Sequence, residues 1–356
     1  MIKKRKTDIL PNKYIENKKI NNNKLINKKI NITTDKEYQQ DKLYINTKIL
    51  KSKNSNYLNL NNIKKKTKSI EHTNYNSNID KNKIFNGKLD NYLITKELGK
   101  GSCAIVKLAT HKITKEKFAI KIYTKEFLLD PQKRNVVKNE INILKQLDNE
   151  YIMKLFEEID TPNYLYLVLE YINGIPLIDI LKNEEDGFLI ENRAKKLIIQ
   201  IIKGIIYLHS RNICHRDIKL ENILVMKNDS IKIIDFGFAI KCNKDSYQKI
   251  FCGTPSYMAP EVLNKKKYIP YYSDIWSLGV LFFAMLYGRF PFEFNNKHFY
   301  GDSKDINKIT NINFSFSNEI KVDDKIKNIF KRIFIIEPKE RIKLEEILNI
   351  LSNNNI

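Results

Sequence analysis

Polar side chains suited to phosphate and metal chemistry lie in two short stretches of the C-terminal half of the chain. Residues 215–222 read HRDIKLEN and residues 231–237 read IKIIDFG. Asp235 and Asn222 offer hard oxygen ligands of the kind that Mg²⁺ uses together with nucleotide phosphates. Asp217 is free to accept a proton from a hydroxyl nucleophile. A single aspartate is most often a turn former, but chance is a poor explanation for the whole set at this spacing.

A segment rich in small residues precedes these stretches. Residues 98–106 read LGKGSCAIV and lie between two runs typical of β-strands. Small side chains there would let backbone N–H groups approach phosphate oxygens closely. Glycine pairs between strands usually make only a hairpin turn, and the third small position is Ala104 rather than glycine, so this segment is weak evidence by itself.

A lysine also stands in the middle of an apolar strand. The run FAIK ends at Lys121, and such a lysine either reaches solvent at a strand edge or needs a buried counter-ion. The following predicted helix has an apolar stripe formed by Val137, Ile141 and Leu144. Glu140 lies beside that stripe and faces inward, so it is the natural candidate for the counter-ion.

The elements that would position these residues change character along the chain. Short β-rich runs come first, interrupted by one helix that opens with Asp130 as N-cap and Pro131 in the first turn. The predicted strands are Tyr92–Leu98, Ile105–Thr110, Phe118–Tyr123, Lys154–Ile159 and Tyr164–Glu170. Later helices are indicated by Ala194, Leu197, Ile201, Ile205 and Leu208, and by the almost wholly apolar run Ile275–Leu286. A small sheet-rich half therefore precedes a larger helical half.

The net charge is distributed unevenly. The 356 residues include 63 Lys and Arg against 41 Asp and Glu, a formal net charge of +22. Residues 1–88 hold 22 of the basic and 7 of the acidic residues and carry +15, whereas residues 89–356 carry +7. The first segment has 18 asparagines and no sustained periodicity. It cannot bury enough apolar area to offset its ordering entropy, so we expect it to be disordered.

The basic tail has a neutral and a functional interpretation. Lysine, asparagine and isoleucine have A/T-only codons, so an A/T-rich genome would produce such a tail without selection for a partner. The functional alternative is a tether to nucleic acid or an acidic surface, or a nuclear address at Lys3–Lys6. A salt-dependent gel shift of residues 1–88 against residues 89–356 would separate them.

Other features of the composition bear on compartment. No window approaches the ~18 consecutive apolar residues that span a bilayer. The start MIKKRK lacks the apolar run of a secretory leader. The four cysteines are too few and too scattered for a disulfide framework or a CxxC metal site. We expect a reduced, intracellular monomer, cytoplasmic with a nuclear alternative, that has no membrane partner.

Taken in order, the motifs resemble those of the eukaryotic protein-kinase family over residues 92–351. The glycine-rich loop, FAIK, HRD and DFG are followed by APE at 259–261, DIWSLG at 274–279 and the late Arg341. The resemblance implies an α+β fold of two lobes, a small β-rich N-lobe and a larger helical C-lobe. It implies ATP in the cleft between the lobes and Mg²⁺ with it.

By this resemblance, the roles of phosphoryl transfer fall on particular positions. Lys121, held by Glu140, would orient the α- and β-phosphates. Asp217 would position the substrate hydroxyl and take its proton late, and Lys219 would neutralise the γ-phosphate as it moves. The implied ligands of Mg²⁺ are Asn222 and Asp235. The implied nucleotide contacts are Leu98, Gly99, Lys100, Gly101, Ser102, Cys103, Ala104, Val106, Ala119, Lys121, Glu170, Ile172 and Leu224.

The resemblance also implies particular packing in the interior. His215 is expected to pack in a stack anchored by Asp274 rather than to act as an acid or base. Glu261 and Arg341 match an ion pair that ties down the activation segment. The full stack comprises Leu144, Leu155, His215 and Phe236.

The residues within two of these motifs resemble those of protein Ser/Thr kinases. The similarity lies in Lys219 and in the segment GTPSYM before APE. The complete set of motifs resembles that of the calmodulin-dependent and AMP-activated kinase branch. Where arginine-directed relatives carry glutamates, this chain has Pro176 and Ala284 and keeps only Glu221. We therefore expect a weaker demand for basic residues before the target Ser/Thr than in those relatives. No calmodulin-type helix follows the last predicted helix, so C-terminal autoinhibition is not expected.

The activation segment departs from its relatives at one position. Ile250 stands two residues before Cys252, where relatives carry the activating threonine. We expect activity that does not depend on phosphorylation there. Ser246 or Tyr247 could accept a phosphate instead, or Asp245 could supply a permanent charge.

Three other functions are alternatives to a protein Ser/Thr kinase. An inactive, kinase-shaped scaffold would lack the essential lysine, aspartate or asparagine, and all are present. A small-molecule kinase shares the Asp-x4-Asn loop, but Thr254 and the APE segment support a protein substrate. A nucleic-acid-associated protein rests on the basic tail alone.

Overall fold

The computed structural model describes residues 85–101, 103–292 and 314–353. Its N-terminal part is an antiparallel five-stranded sheet in the order β1-β2-β3-β5-β4. The strands are Tyr92–Lys100 (β1), Ile105–His111 (β2), Lys117–Thr124 (β3), Leu155–Asp160 (β4) and Tyr164–Glu170 (β5). All five predicted strands are present, and their ends differ from the predictions by no more than two residues.

Helix α1, Pro131–Leu144, follows β3 and starts as the sequence predicts. The Asp130 carboxylate accepts hydrogen bonds from the backbone N–H groups of Gln132 and Lys133, at 2.8 and 3.3 Å. Proline is tolerated at the first helical position because its missing N–H would have no helical partner there. The buried side chains of α1 are Val137, Glu140, Ile141, Ile143 and Leu144. The predicted inward direction of Glu140 is confirmed.

Helices build the C-terminal part of the molecule. They are α2 (Leu177–Asn183), α3 (Glu191–Ser210), α4 (Pro260–Leu263), α5 (Pro270–Tyr287), α6 (Asp324–Ile333) and α7 (Leu344–Ser352). Helix α5 is buried on all sides from Ser273 to Tyr287, as its apolar run predicts. A Cβ atom at Gly279 would lie 2.4 Å from Cγ2 of Ile333, so glycine lets α6 approach α5 closely. None of the helices in the described part is both long and apolar enough to cross a membrane.

Two small sheets hold the loops that carry the polar residues. The first consists of β6 (Gly174–Pro176), β8 (Ile223–Met226) and β9 (Ile231–Ile233), and the second pairs β7 (Ile213–Cys214) with β10 (Ile240–Lys241). The loop after β7 and the loop after β9 therefore run side by side. The Ile234 N–H joins them by donating to the carbonyl of Asn222 at 2.9 Å. The predicted α+β class, with a sheet-rich N-lobe and a helical C-lobe, is confirmed.

The described part begins with contacts made by Phe85. Its ring stacks on Phe156, with centroids 5.3 Å apart, and meets Phe118 edge-on at 6.0 Å. The Gly87 N–H donates to a carboxylate oxygen of Glu157 at 2.9 Å. These contacts begin before the predicted end of the tail at residue 88. Residues 1–84 lie outside the described residues, so their disorder, tethering and nuclear address stay predictions.

A buried ion pair joins α4 to the segment between α6 and α7. Both terminal nitrogens of Arg341 donate to the two carboxylate oxygens of Glu261, at 2.8 and 2.7 Å. The guanidinium also donates to the carbonyls of Tyr272 and Ile335, each at 2.9 Å. The Arg341 side chain has no exposed surface. The ion pair implied by the kinase resemblance is present with its donors satisfied.

Replacing Arg341 with methionine is expected to lower the free energy of unfolding by about 3–5 kcal/mol, because Glu261 would keep a buried charge without its partner. Urea unfolding of the full chain measures this loss. Arg332→Met is the matched control, since Arg332 makes the same double contact with Glu346 at 2.6 and 2.9 Å. That pair is 38% and 47% exposed, so its loss should be much smaller. Equal losses in the two variants would contradict the prediction.

Candidate active site

Lys121 lies on β3 between two carboxylates. Its Nζ is 2.7 Å from Oε1 of Glu140 and 3.6 Å from Oδ1 of Asp235. The side chains of Lys121 and Glu140 are only 9% and 1% exposed. The Tyr123 hydroxyl donates to the second oxygen of Glu140 at 2.8 Å. The counter-ion predicted for Lys121 is therefore in place, and both of its oxygens have donors.

Burial and charge oppose each other in this cluster. Burial disfavours the ammonium of Lys121, but Glu140, the nearby Tyr123 and Asp235 outweigh it and hold the Lys121 pKa well above its usual value. Burial would raise the pKa of Asp235, but the charges of Lys121 and Lys219 outweigh it and keep that pKa below its usual value. Burial, and then Glu140, raise the pKa of Tyr123, which stays a neutral donor. The site therefore holds a protonated lysine beside an ionised aspartate.

Asp217 is only 4% exposed. Its carboxylate accepts hydrogen bonds or an ion pair from three side chains. Lys219 Nζ lies 2.8 Å from Oδ2, and the Thr254 hydroxyl donates to Oδ1 at 2.9 Å. Lys219 also donates to the Thr254 hydroxyl at 2.9 Å, which closes a triangle. The Asn222 amide donates to Oδ2 at 3.1 Å and to the Asp217 carbonyl at 2.9 Å. Although burial opposes its charge, Lys219 has a raised pKa because of Asp217 and Glu221.

The two candidate metal ligands lie on the neighbouring loops after β7 and β9. Asp235 has a left-handed backbone with φ of 63°, and the Gly237 N–H donates to its Oδ1 at 3.3 Å. Its side chain keeps 19% of its surface exposed. The amide nitrogen of Asn222 is committed to Asp217, so its Oδ1 is the atom left for a cation. An ionised carboxylate and an amide oxygen form a donor set that fits a hard divalent cation.

The glycine-rich segment forms the turn between β1 and β2. Lys100 pairs with Ile105 at the end of the ladder, and the Gly101 N–H donates to the carbonyl of Ala104 at 2.9 Å. Leu98 is 40% exposed. Ser102 lies outside the described residues. The segment is a hairpin tip, and its contact with phosphate stays a proposal.

Glu170, one of the implied nucleotide contacts, ends β5. Its Oε2 atom pairs with Lys232 at 2.8 Å and accepts a hydrogen bond from the Lys154 N–H at 3.2 Å. Four aliphatic side chains predicted to contact the nucleotide are half-buried: Val106, Ala119, Ile172 and Leu224. Such half-exposed apolar groups suit the faces of a planar base.

Comparison with known proteins places this site in a family. The family model for the protein kinase domain matches residues 92–351. The chain belongs to the protein kinase family. The resemblance of the motifs to this family, and the fold that it implies, are confirmed.

Three curated relatives of this chain are named as protein kinases, two of them as serine/threonine-protein kinases. It is 37% identical over 264 residues to the probable serine/threonine-protein kinase MARK-A of Dictyostelium discoideum, covering 74% of this chain and 24% of the relative. It is 38% identical over 259 residues to the SNF1-related protein kinase catalytic subunit alpha KIN12 of Arabidopsis thaliana, covering 73% and 50%. The figures for serine/threonine-protein kinase SIK2 of Gallus gallus are 34% over 256 residues, covering 72% and 31%. The chain thus spans a quarter to a half of these relatives, and the predicted branch is confirmed.

In the kinase domain, His215 packs rather than faces the cleft. It has no exposed surface, and its ring lies edge-on to Phe236 with centroids 5.0 Å apart. The backbone N–H groups of His215 and Arg216 donate to the two oxygens of Asp274, at 2.9 and 2.8 Å. The stack members Leu144 and Leu155 are also buried. This is the packing that the kinase resemblance implies for His215.

The segment between DFG and APE is held through main-chain carbonyls. Arg216 donates from Nε to the carbonyl of Phe238 at 2.7 Å and from Nη1 to the Tyr268 hydroxyl at 3.5 Å. Tyr268 donates in turn to the carbonyl of Ile250 at 3.0 Å, and its backbone pairs with that of Gln248. The Ile250 side chain is 66% exposed. The position that carries the activating threonine in relatives is therefore fixed by its backbone.

Two residues that contact the site were not among the site residues predicted from the sequence. Tyr123 supports Glu140, and a signal for it exists, because Tyr123 is two residues beyond Lys121 and so lies on the same face of β3. Thr254 contacts both Asp217 and Lys219, although the sequence shows it only as a mark of kinase type. No local pattern predicts that second contact.

Proposed function

We propose that this chain is an ATP-dependent serine/threonine protein kinase, which transfers the γ-phosphate of ATP to hydroxyl groups of protein substrates. The observation that carries the proposal is the closed triangle of Asp217, Lys219 and Thr254. It fixes a carboxylate and an ammonium side by side at the start of the loop that leads to Asn222. The charges of Lys121 and Asp235 lie on the neighbouring elements.

Each side chain of the site has a task in this proposal. Lys121, held by Glu140, binds the α- and β-phosphates, and its raised pKa keeps it charged. Asp217 orients the substrate hydroxyl and accepts its proton. Lys219 compensates the charge of the γ-phosphate during transfer. Because the groups are held by mutual contacts, they need little reorganisation when the phosphate moves.

Mg²⁺ is the cation that this site suits, with Asp235 and Asn222 as its protein ligands. Asp235 is ionised and partly open, and the Asn222 amide offers its oxygen. A cation held by these two residues would supply positive charge that offsets the charge of the phosphates. The nucleotide base packs between the half-buried aliphatic groups of β2, β3 and β8, which include Val106, Ala119 and Leu224.

A peptide array supplied with ATP and Mg²⁺ is expected to show γ-phosphate on serine and threonine and weak selection for arginine three positions upstream. At the two positions where arginine-directed relatives carry glutamates, this chain has no charge to bind arginine. Pro176 is uncharged, and Ala284 is uncharged and has no exposed surface. Glu221 remains, but burial raises its pKa above the usual value and weakens it as a partner for arginine.

The Lys121→Met variant supplies the background for this array. Strong selection for upstream arginine would contradict the specificity, while leaving the proposed activity intact. Wild-type signal no higher than the Lys121→Met background on every peptide would contradict the proposed activity and favour an inactive scaffold.

Phosphatase-treated protein is expected to keep its transfer rate within about threefold of untreated protein. Arg216 is already bound to Phe238 and Tyr268, so it does not need a phosphate to hold the segment. Ser246→Ala and Tyr247→Phe should leave the rate unchanged, whereas Tyr268→Phe should lower it by removing the bond to the Ile250 carbonyl. Full loss of activity after phosphatase, restored by phosphorylation of the segment, would overturn this expectation.

A further inference from the structure

Two cysteines that are far apart in the sequence meet where the activation segment begins. Cys214 ends β7 and pairs with Ile240 of β10. Cys242 directly follows β10, and its N–H donates to the carbonyl of Asn212 at 2.8 Å. Residues two apart on a strand share a face, so Cys242 lies diagonally across from Cys214 on the same side of the ribbon. The two thiols affect each other's pKa, because burial and then Cys242 raise the pKa of Cys214, and Cys214 lowers the pKa of Cys242.

The two cysteines differ in their access to solvent. Cys214 has no exposed surface, whereas Cys242 is half-buried. Both pack in a small apolar cluster with Ile269 and Tyr271. The Tyr271 hydroxyl lies 3.4 Å from the carbonyl of Cys242 and so holds the strand end in place. Cys242 is therefore the cysteine of the pair that keeps exposed surface, and Cys214 lies in the interior.

We propose that Cys242 and Cys214 form a reversible redox pair that hydrogen peroxide closes to a disulfide. In the first step, the Cys242 thiolate attacks the peroxide, the O–O bond breaks, and the departing hydroxide takes up a proton to leave as water. The sulfur loses two electrons and becomes a sulfenic acid. In the second step, the Cys214 sulfur attacks the Cys242 sulfur, the S–O bond breaks, and the hydroxyl leaves as water with the Cys214 proton. A dithiol supplies two electrons to reverse the process.

The electrostatics of the pair agree with this order of steps. The interaction with Cys214 is the main cause that lowers the pKa of Cys242, and the charge of Arg216 adds to it. Burial raises the pKa of Cys214, which stays a thiol until its partner is oxidised. The thiolate is the reactive form, so Cys242 reacts first.

The disulfide would join two functional segments of the domain. His215 directly follows Cys214 and opens the HRD loop, and Cys242 lies five residues beyond the end of DFG at Gly237. The covalent link would hold β10 against β7 and so keep the start of the activation segment in its described position. Because it also restricts the unfolded chain, it should stabilise the fold.

Peptide mapping of the oxidised full chain tests the proposal. The protein is treated with hydrogen peroxide, its free thiols are blocked with N-ethylmaleimide, and it is cut with trypsin without reductant. We expect peptide 212–216 joined to peptide 242–244, absent after dithiothreitol and absent in Cys242→Ser. The matched variants Cys103→Ser and Cys252→Ser should retain the link. Oxidation should also raise the thermal midpoint of the wild type by several degrees, and that of Cys242→Ser should not rise.

Several results would overturn the redox pair. One is Cys242 recovered as a sulfinic acid while Cys214 still reacts with N-ethylmaleimide. Another is a disulfide that joins either residue to Cys103 or Cys252. A link that forms without raising the thermal midpoint would overturn its role in holding β10.

Discussion

Asp235→Asn is expected to reduce phosphoryl transfer by about 10³-fold, because it removes an ionised ligand at the point where phosphate charge must be neutralised. The low pKa of Asp235 shows that its surroundings favour the charged form. Asparagine tolerates the left-handed backbone with φ of 63° better than most residues, so the loss reports charge rather than backbone strain. The measurement is kcat/KM for ATP over a titration of Mg²⁺. Asp235→Ala should lose at least as much.

Asp229→Asn is the matched control for this substitution. Asp229 also has a left-handed backbone, with φ of 58°, and it also pairs with basic side chains, those of Arg193 and Lys196, at 3.2 and 3.6 Å. It belongs to none of the proposed contacts with nucleotide or metal, so its rate should stay close to that of wild type. A rate for Asp235→Asn within tenfold of wild type would show that Asp235 is not the proposed metal ligand.

The local part of the fold could be predicted because its signals lie within a few residues of one another. The N-cap Asp130 and the proline after it mark the start of α1. The position of Glu140 beside the apolar stripe of α1 predicts that its side chain faces inward. A lysine on a buried strand needs a counter-ion, so the ion pair of Lys121 with Glu140 follows from the cost of burying a charge. The almost wholly apolar run of α5 likewise predicts that this helix is buried on all sides. In each case the residue pattern within one element decides the outcome.

The loop conformations could not be predicted, because distant residues impose them. Arg216 and Asp235 both have positive φ, a backbone region that residues other than glycine adopt uncommonly. Arg216 is held there by Asp274, whose carboxylate accepts its N–H from 58 residues away in the sequence. The contact of Thr254 with Asp217 spans 37 residues, and no periodicity predicts it. Strain at these positions persists because buried hydrogen bonds over-determine the backbone.

The diagonal contact of Cys214 and Cys242 has the same origin. Strands β7 and β10 have two residues each, too few for a pattern of alternation to show their pairing. The sequence therefore shows scattered cysteines, and only the ladder of β7 with β10 brings two of them together. Short strands next to functional loops are where sequence patterns carry the least information and where tertiary contacts matter most.

Asp217→Asn is expected to lower kcat by about 10³-fold, because the substrate hydroxyl loses its proton acceptor. The KM for ATP should stay within about threefold, since Asp217 is proposed to contact the protein substrate rather than the nucleotide. The substitution also disturbs the triangle. If the new amide oxygen accepts from the Thr254 hydroxyl, the new amide nitrogen faces Lys219 and Asn222. An amide nitrogen cannot accept the hydrogen bonds that these two side chains donate to the carboxylate.

Thr254→Val separates the lost proton acceptor from the disturbed geometry. It removes the hydroxyl that bridges Asp217 and Lys219 but leaves the carboxylate, so its loss in kcat should be much smaller than that of Asp217→Asn. Asp186→Asn, an exposed aspartate before α3, controls for the change of charge. Equal losses for Asp217→Asn and Thr254→Val would mean that the triangle acts through positioning alone. A rise in the KM for ATP that accounts for the whole effect would place Asp217 among the nucleotide contacts instead.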